Sequence, residues 1–184
     1  MRQLRYLGVF LMGLAAVCWV CWADEEKEAA VKSNAMTLGK IHIVEVGPGE
    51  DVLATISKRL VGQGIRQAVV IGGYGTMAAY HVHWVQHNRI PPESTKGRAE
   101  GGFEILSMNG LVVEGKPHIH VTLSNKDGAF GGHLEEGCTA YVLCQVFVAE
   151  LDGPNLSYER TRVDVPKMGT GDVWRLVYGK KDGQ

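Results

Sequence analysis

Apolar and polar residues alternate along most of this chain, which is the pattern of β-strands with one buried face. The alternation is clearest in KIHIVEV at Lys40–Val46 and in FEILSMNGLVV at Phe103–Val113. The same criteria predict further strands at Gln67–Ile71, Met77–Val85, Pro117–Ser124 and Thr139–Glu150, with weaker ones near Leu156–Val163 and Val173–Tyr178. Most of the chain is therefore predicted to be β-sheet.

One segment has a helical period instead. Its apolar stripe consists of Val52, Leu53, Ile56 and Leu60. The acidic pair Glu50-Asp51 precedes the stripe at the positive end of a helix, and Gly62 and Gly64 end it. One helix among many strands with short connections predicts a single α+β domain with a largely antiparallel sheet.

Two segments do not fit simple strands. GGYG at Gly72–Gly75 could be a phosphate-binding loop, but MAAYHVHWV follows it and alternates like a strand. We therefore interpret GGYG as a β-bulge or a tight strand junction. His87–Gly102 is predicted to be a long polar loop, and loops of this length in compact domains are usually functional or mobile.

The first 23 residues have the organisation of a secretory signal peptide. Arg2 and Arg5 precede an apolar run from Tyr6 to Trp22, and charged residues begin at Asp24. The alternative is an uncleaved membrane anchor, for which the run is short. We predict a signal peptide at 1–23, a polar linker at 24–39, the domain at 40–165 and a C-terminal extension at 166–184. The protein is expected to be exported (periplasmic or secreted), without stable membrane insertion after cleavage.

Charge and cysteine content limit the possible partners and cross-links. The chain has 19 basic and 20 acidic residues, and loss of Arg2 and Arg5 would leave 17 against 20, a net charge of −3. Nucleic acid is therefore not expected as a partner, because proteins that bind nucleic acid normally carry an excess or a stripe of basic residues. Cys138 and Cys144 would remain as two buried residues on one strand, too far apart for a disulfide.

Histidines provide the candidate chemistry. On the strand Pro117–Ser124, His118 and His120 share one face, with Cα atoms about 6–7 Å apart. Two imidazoles at this spacing can bind one Zn²⁺. Gly131-Gly132 precedes His133, and a diglycine allows close approach to a neighbouring strand, so His133 could be the third ligand.

Chance pairing is the alternative interpretation. His81 and His83 form a second pair, which has only His87 nearby in sequence and could equally lie at the surface or at an interface. Carboxylates that could support the metal are Glu135 and Glu136, although a solvated turn is equally compatible, and Glu104, which would need a partner if it were partly buried. The sequence shows no recognisable nucleophile elbow for covalent catalysis.

The sequence resembles the PPC family, the domain conserved in plants and prokaryotes. FEILSMNG, then GKPHIHVTLSNKDGAFGGHLEEG and a buried strand through Val148 are similar to its signature half. GPGEDVLATI and GIRQAVVIGGYGT are similar to the helix and glycine turn before it, so that the similarity covers residues 40–150. The resemblance implies an α+β homotrimer in which His118, His120 and His133 lie together and can bind zinc.

Three functions remain open. The first is a trimeric metal-dependent module that binds a small polar or anionic ligand, and the second is a metal hydrolase that uses a zinc-bound water. The third is DNA binding by family analogy. In place of the AT-hook of plant members, however, this chain has only Lys96-Gly97-Arg98-Ala99, without the motif's proline. We favour the binding module, because no dedicated general base is evident.

Overall fold

The computed structural model describes residues 34–179, so the predicted signal peptide lies outside the described residues. Within this range the chain forms eight strands and one helix. Their bounds are β1 Thr37–Val46, α1 Val52–Val61, β2 Ala68–Val85, β3 Ser94–Val113, β4 Lys116–Asn125, β5 Gly128–Leu134, β6 Thr139–Asp152, β7 Leu156–Val165 and β8 Gly169–Tyr178. The predicted polar linker at 24–39 lies partly outside the described residues, and its end from Thr37 belongs to β1.

Six strands form one antiparallel sheet in the order β1-β6-β2-β3-β4-β5. Strand β5 also pairs with β2, so β2 to β5 close into a small ring. Val82, Val121 and Leu134, from three of its strands, are buried. The mostly antiparallel sheet with one short helix confirms the predicted α+β fold. In residues 34–179, no helix is long and apolar enough to cross a membrane.

Helix α1 covers part of the sheet as the apolar stripe predicts. Asp51 caps its first turn by accepting a hydrogen bond from the Ala54 backbone N–H at 2.9 Å. Val52, Ile56 and Leu60 are fully buried in the main core. The helix thereby closes one side of the sheet.

Both described cysteines are buried, free thiols, as predicted. Cys138 lies just before β6 and Cys144 lies within it. Burial raises the pKa of each thiol to about 11, so both stay protonated and unreactive at neutral pH.

The predicted loop at 87–102 is largely wrong. Ser94–Gly102 is the first half of β3 and pairs with the end of β2, for example Lys96 opposite His83. Nearly all of this half-strand is exposed, because it extends past the core. Without a buried face it lacks the apolar alternation that identifies a strand in sequence. The GGYG segment lies inside β2, and the register of β2 with β6 shifts beside it, as expected for a bulge.

The C-terminal strands form a separate two-stranded sheet, in which β7 pairs with β8 along its whole length. The boundary predicted between residues 165 and 166 falls at the turn of this hairpin. Strand β8 begins at Gly169, earlier than the predicted Val173. The hairpin β7–β8 is therefore one structural unit.

Candidate metal centre

A row of histidines crosses three adjacent strands on the outer face of the sheet. His133 on β5 lies opposite His120 on β4 and opposite His83 on β2. Directly paired residues of antiparallel strands point to the same face, so the three imidazoles are neighbours. This row positions the candidate site.

His118 joins the row from β4, two residues before His120. The ring centroid of His118 lies 5.6 Å from that of His120 and 4.5 Å from that of His133. The centroids of His120 and His133 are 5.3 Å apart. One ligand nitrogen from each of the three lies within 4.8 Å of the others. The structure thus brings together the three histidines selected from the sequence.

Local sequence explains this convergence. The opposite face of β4 carries Ile119, Val121 and Leu123, which are almost completely buried and hold the strand in place. Gly131 lies so close to β4 that a Cβ there would be 2.6 Å from the Val121 carbonyl oxygen. A side chain at this position would push β5 away from β4. The close approach predicted for the diglycine is confirmed.

A second group, missed in the sequence, adjoins the first. His83 stacks on His133 with centroids 4.3 Å apart, and its Nδ1 donates a 2.6 Å hydrogen bond to Oε1 of Glu135. Lys96 donates to the other carboxylate oxygen at 3.1 Å. Ligand atoms of His83, His133 and Glu135 also lie within 4.8 Å of one another. The signal available was the His81/His83 pair, but its register against β5 cannot be seen from sequence spacing.

The remaining candidates lie elsewhere. Glu104 is exposed, and its register partner Ser124 is four residues from His120, about 13 Å along β4. Glu104 is therefore not partly buried, and the need for a partner does not arise. Glu136 is exposed, and its backbone carbonyl accepts a 2.7 Å hydrogen bond from Nδ1 of His81. Neither Glu104, Glu136 nor His81 belongs to the two histidine groups.

Burial and neighbouring imidazoles lower the pKa of two histidines of the cluster, His118 and His133. Burial lowers the pKa of His118, and the neighbouring His120 and His83 lower it further. Burial, followed by the nearby His118, His83 and His120, lowers the pKa of His133 to about 4. A neutral imidazole is the form that binds a metal ion. The donor set therefore suits Zn²⁺ or another divalent metal that accepts imidazole nitrogen.

Glu135 supplies negative charge beside these rings. Burial alone would raise the pKa of its carboxyl group, but hydrogen bonds from His83 and Lys96 outweigh burial and lower it. The carboxylate is thus ionised at neutral pH. It fixes the orientation of His83 and favours a cation nearby.

Tyr158 of the β7–β8 hairpin borders the site. Its ring centroid lies 5.8 Å from that of His118, with 32° between the ring planes. The side chain is partly buried, and burial raises the pKa of the phenol, so it remains protonated at neutral pH. The hairpin is thus in contact with the histidine cluster.

This geometry defines the class of the protein: an antiparallel α+β domain with a histidine cluster on its outer face. Residues 33–152 match the family model of the Plants and Prokaryotes Conserved (PCC) domain. The chain belongs to this family, and the resemblance noted in the sequence is confirmed.

Solved structures with the same fold support this assignment. A plant- and prokaryote-conserved protein from Pyrococcus horikoshii is 26% identical, with a TM-score of 0.62 over 78% of this chain and 96% of that one. A metal-containing protein from Archaeoglobus fulgidus is also 26% identical, with a TM-score of 0.59 over 78% and 99%. A putative DNA-binding protein from Bacteroides thetaiotaomicron, 17% identical with a TM-score of 0.56 over 77% and 98%, shares the fold.

Curated relatives are much longer proteins. The bifunctional protein GlmU of a Synechococcus strain is 23% identical over 122 residues, or 66% of this chain. The chain spans about a fifth of that relative, since the match covers 18% of it.

Proposed function

We propose that this protein is a metal-binding member of its family that presents a divalent ion, with zinc the best candidate, to a small polar or anionic ligand. The observation that carries the proposal is the convergence of His118, His120 and His133, with ligand atoms within 4.8 Å of one another. Three imidazoles leave a fourth position of a tetrahedral zinc ion open for water or a ligand. The similarity to a metal-containing protein from Archaeoglobus fulgidus supports this proposal.

Self-association is part of the proposal, and a homotrimer is the expected state. Strand β1 is an edge strand, and Leu38, Ile41 and Ile43 are 60–64% exposed along it. Further exposed apolar side chains lie on β6 and β2, at Tyr141–Leu143 and Tyr74. Several exposed large apolar side chains in one part of a sheet are typical of protein interfaces. Light scattering tests the state: a trimer mass is expected, and a monomer mass at micromolar concentration would refute it.

Export is proposed from residues 1–23, which have the organisation of a signal peptide. An exported protein would meet its ligand and metal outside the cytoplasm. The intact mass of the protein from the exported fraction tests this, with a chain that begins near Asp24 as the expected result.

A metal-dependent hydrolase is the second candidate. The observation in its favour is the His83–Glu135 hydrogen bond of 2.6 Å directly beside His133. An imidazole oriented by a carboxylate next to a metal-bound water is a common hydrolytic arrangement. Zinc-dependent cleavage of p-nitrophenyl acetate or p-nitrophenyl phosphate that His83→Gln abolishes would favour it over the binding module.

DNA binding is not favoured, although a structure of the same fold is described as a putative DNA-binding protein. The net charge is −1 for the full chain and would be −3 after removal of the two arginines of the signal segment. Specific and non-specific DNA binding both require phosphate neutralisation by basic residues. Salt-sensitive binding of duplex DNA tighter than about 10⁻⁶ M would overturn this conclusion.

Metal analysis of the purified protein is the first test of the binding module. After dialysis without chelator, we expect about one divalent ion per chain. Protein that remains metal-free after incubation with excess Zn²⁺ would contradict the proposal.

A further inference from the structure

The hairpin β7–β8 lies outside the part of the chain that matches the family model. The match ends at residue 152, whereas the hairpin begins at Leu156 and ends at Tyr178. The family domain alone therefore does not account for its position. The role of the hairpin can therefore be inferred from the residues that it contacts.

Both ends of the hairpin are fixed to the domain. At its base, the Leu156 backbone N–H donates a 3.1 Å hydrogen bond to Oε1 of Gln67. Near its tip, the Ile90 backbone N–H donates to the Met168 carbonyl at 2.8 Å. Ile90 also lies against Gly171, where a Cβ would be 2.9 Å from its side chain. Gln67 precedes β2 and Ile90 follows it, and β2 carries His83. The contacts at both ends of the hairpin therefore hold it against the domain near β2.

Between these anchors, the hairpin places Tyr158 beside His118, with centroids 5.8 Å apart. The hydroxyl of Tyr158 makes no hydrogen bond to any residue in the described range 34–179. A partly buried phenol that lacks a protein partner is available to donate to a ligand. A ligand bound in the open position of the proposed metal site would lie near Tyr158, because His118 is a ligand of that site and a neighbour of Tyr158.

The face of the hairpin that carries Tyr158 also carries charged residues. Arg160 and Arg162 follow Tyr158 at alternate positions and share its face. Both are paired only loosely, with Asp172 at 3.8 Å, so two guanidinium groups share one carboxylate. Asp164 lies on the same face, so Asp164 and Asp172 balance the two arginines and the face has no net charge. The class of ligand is therefore indicated by the Tyr158 O–H, a hydrogen-bond donor that an oxyanion held by a metal cation would accept.

We propose that the β7–β8 hairpin determines which ligand binds at the metal site. In this proposal Tyr158 donates a hydrogen bond to an oxyanion bound at the metal. This proposal rests on the metal site proposed above, because the metal would hold the oxyanion. The hairpin would thus add to the metal centre a recognition element that the family domain lacks. Tyr158 would act on ligand affinity and would leave metal affinity unchanged.

Cobalt-substituted protein and inorganic phosphate provide the test. Co²⁺ reports its own coordination through visible absorption, so one titration measures metal loading and a second measures phosphate binding. We expect Tyr158→Phe to raise the phosphate dissociation constant by roughly 10-fold, the size expected for a hydrogen bond to a charged group. The Co²⁺ affinity should not change. Tyr178→Phe, in the same hairpin but paired with Leu156, is the matched control and should behave as wild type.

The outcomes separate the two proposals. If wild-type protein develops no cobalt absorption, the metal site itself is refuted. If cobalt binds but phosphate leaves the spectrum unchanged, or binds equally to wild type and Tyr158→Phe, the metal site stands and the role of Tyr158 is refuted. Equal loss of phosphate affinity in Tyr158→Phe and Tyr178→Phe would also refute it, because that result indicates general disturbance of the hairpin.

Discussion

The imidazole of His83 stacks on that of His133, with ring centroids 4.3 Å apart, although 49 residues separate them in the sequence. Strand β5 pairs with β2 at this point and creates the contact. His133 therefore belongs to two sets of ligand atoms, one with His118 and His120 and the other with His83 and Glu135. Which of the two sets would hold a metal ion decides how the proposed site would work.

Replacement of Glu135 distinguishes these sets. If His118, His120 and His133 bind the ion, Glu135→Gln removes only a nearby negative charge and the partner of His83. We expect one ion per chain to remain and zinc affinity to fall roughly 10-fold or more. Competition with a chromophoric chelator measures this. Complete loss of bound zinc would instead identify Glu135 as a ligand. Glu136→Gln, at an exposed neighbour outside both sets, is the control.

The close contact of β3 with β4 behind the site makes Gly110 sensitive to substitution. Its φ is 156°, and a Cβ there would lie 2.0 Å from the carbonyl oxygen of His118. We expect Gly110→Ala to lower the free energy of unfolding by roughly 3 kcal/mol or more, because the strands must separate. Gly102→Ala, on the same strand with no atom within 4 Å of its Cβ position, should cost about 0.5 kcal/mol or less. Urea unfolding of both variants is the measurement, and equal stabilities would contradict this account.

The lowered pKa of His133 predicts a pH dependence of the metal-free protein. In the folded state this pKa is about 4, and in the unfolded chain it is about 6.5. Between these values the unfolded state binds more protons, so stability is lost as pH falls from about 6.5 towards 4. His133→Asn should flatten this part of the curve. Stability of the metal-free wild type that is independent of pH across this range would show that His133 is not held neutral.

Alternation along β4 was sufficient to predict that His118 and His120 share a face, and the diglycine predicted the approach of His133. Both features are local, so the sequence displays them. The contribution of His83 depends on the register of β2 against β5, which is a long-range pairing. The sequence predicts a loop at residues 94–102, because a strand that extends beyond the core has no apolar face to display.

Tyr158 could not be predicted for a related reason. Its hairpin forms a sheet of its own, and its position beside His118 depends on anchors at Gln67 and Ile90, both far away in the sequence. The helix, by contrast, was evident from its period and from its cap at Asp51. Local periodicity thus predicted the elements, whereas the arrangement around the site required the tertiary structure.

Zinc content of four variants tests the central claim most directly. Wild type, His118→Ala, His120→Ala and His81→Ala are purified in parallel, loaded with zinc, dialysed and analysed for metal, with circular dichroism as a check on folding. We predict about one ion per chain in wild type and in His81→Ala, whose imidazole lies outside both histidine groups. The His118 and His120 variants should remain folded, since the core face of β4 is unchanged, and should lose the ion. Folded His118→Ala and His120→Ala proteins that retain stoichiometric zinc would contradict the account.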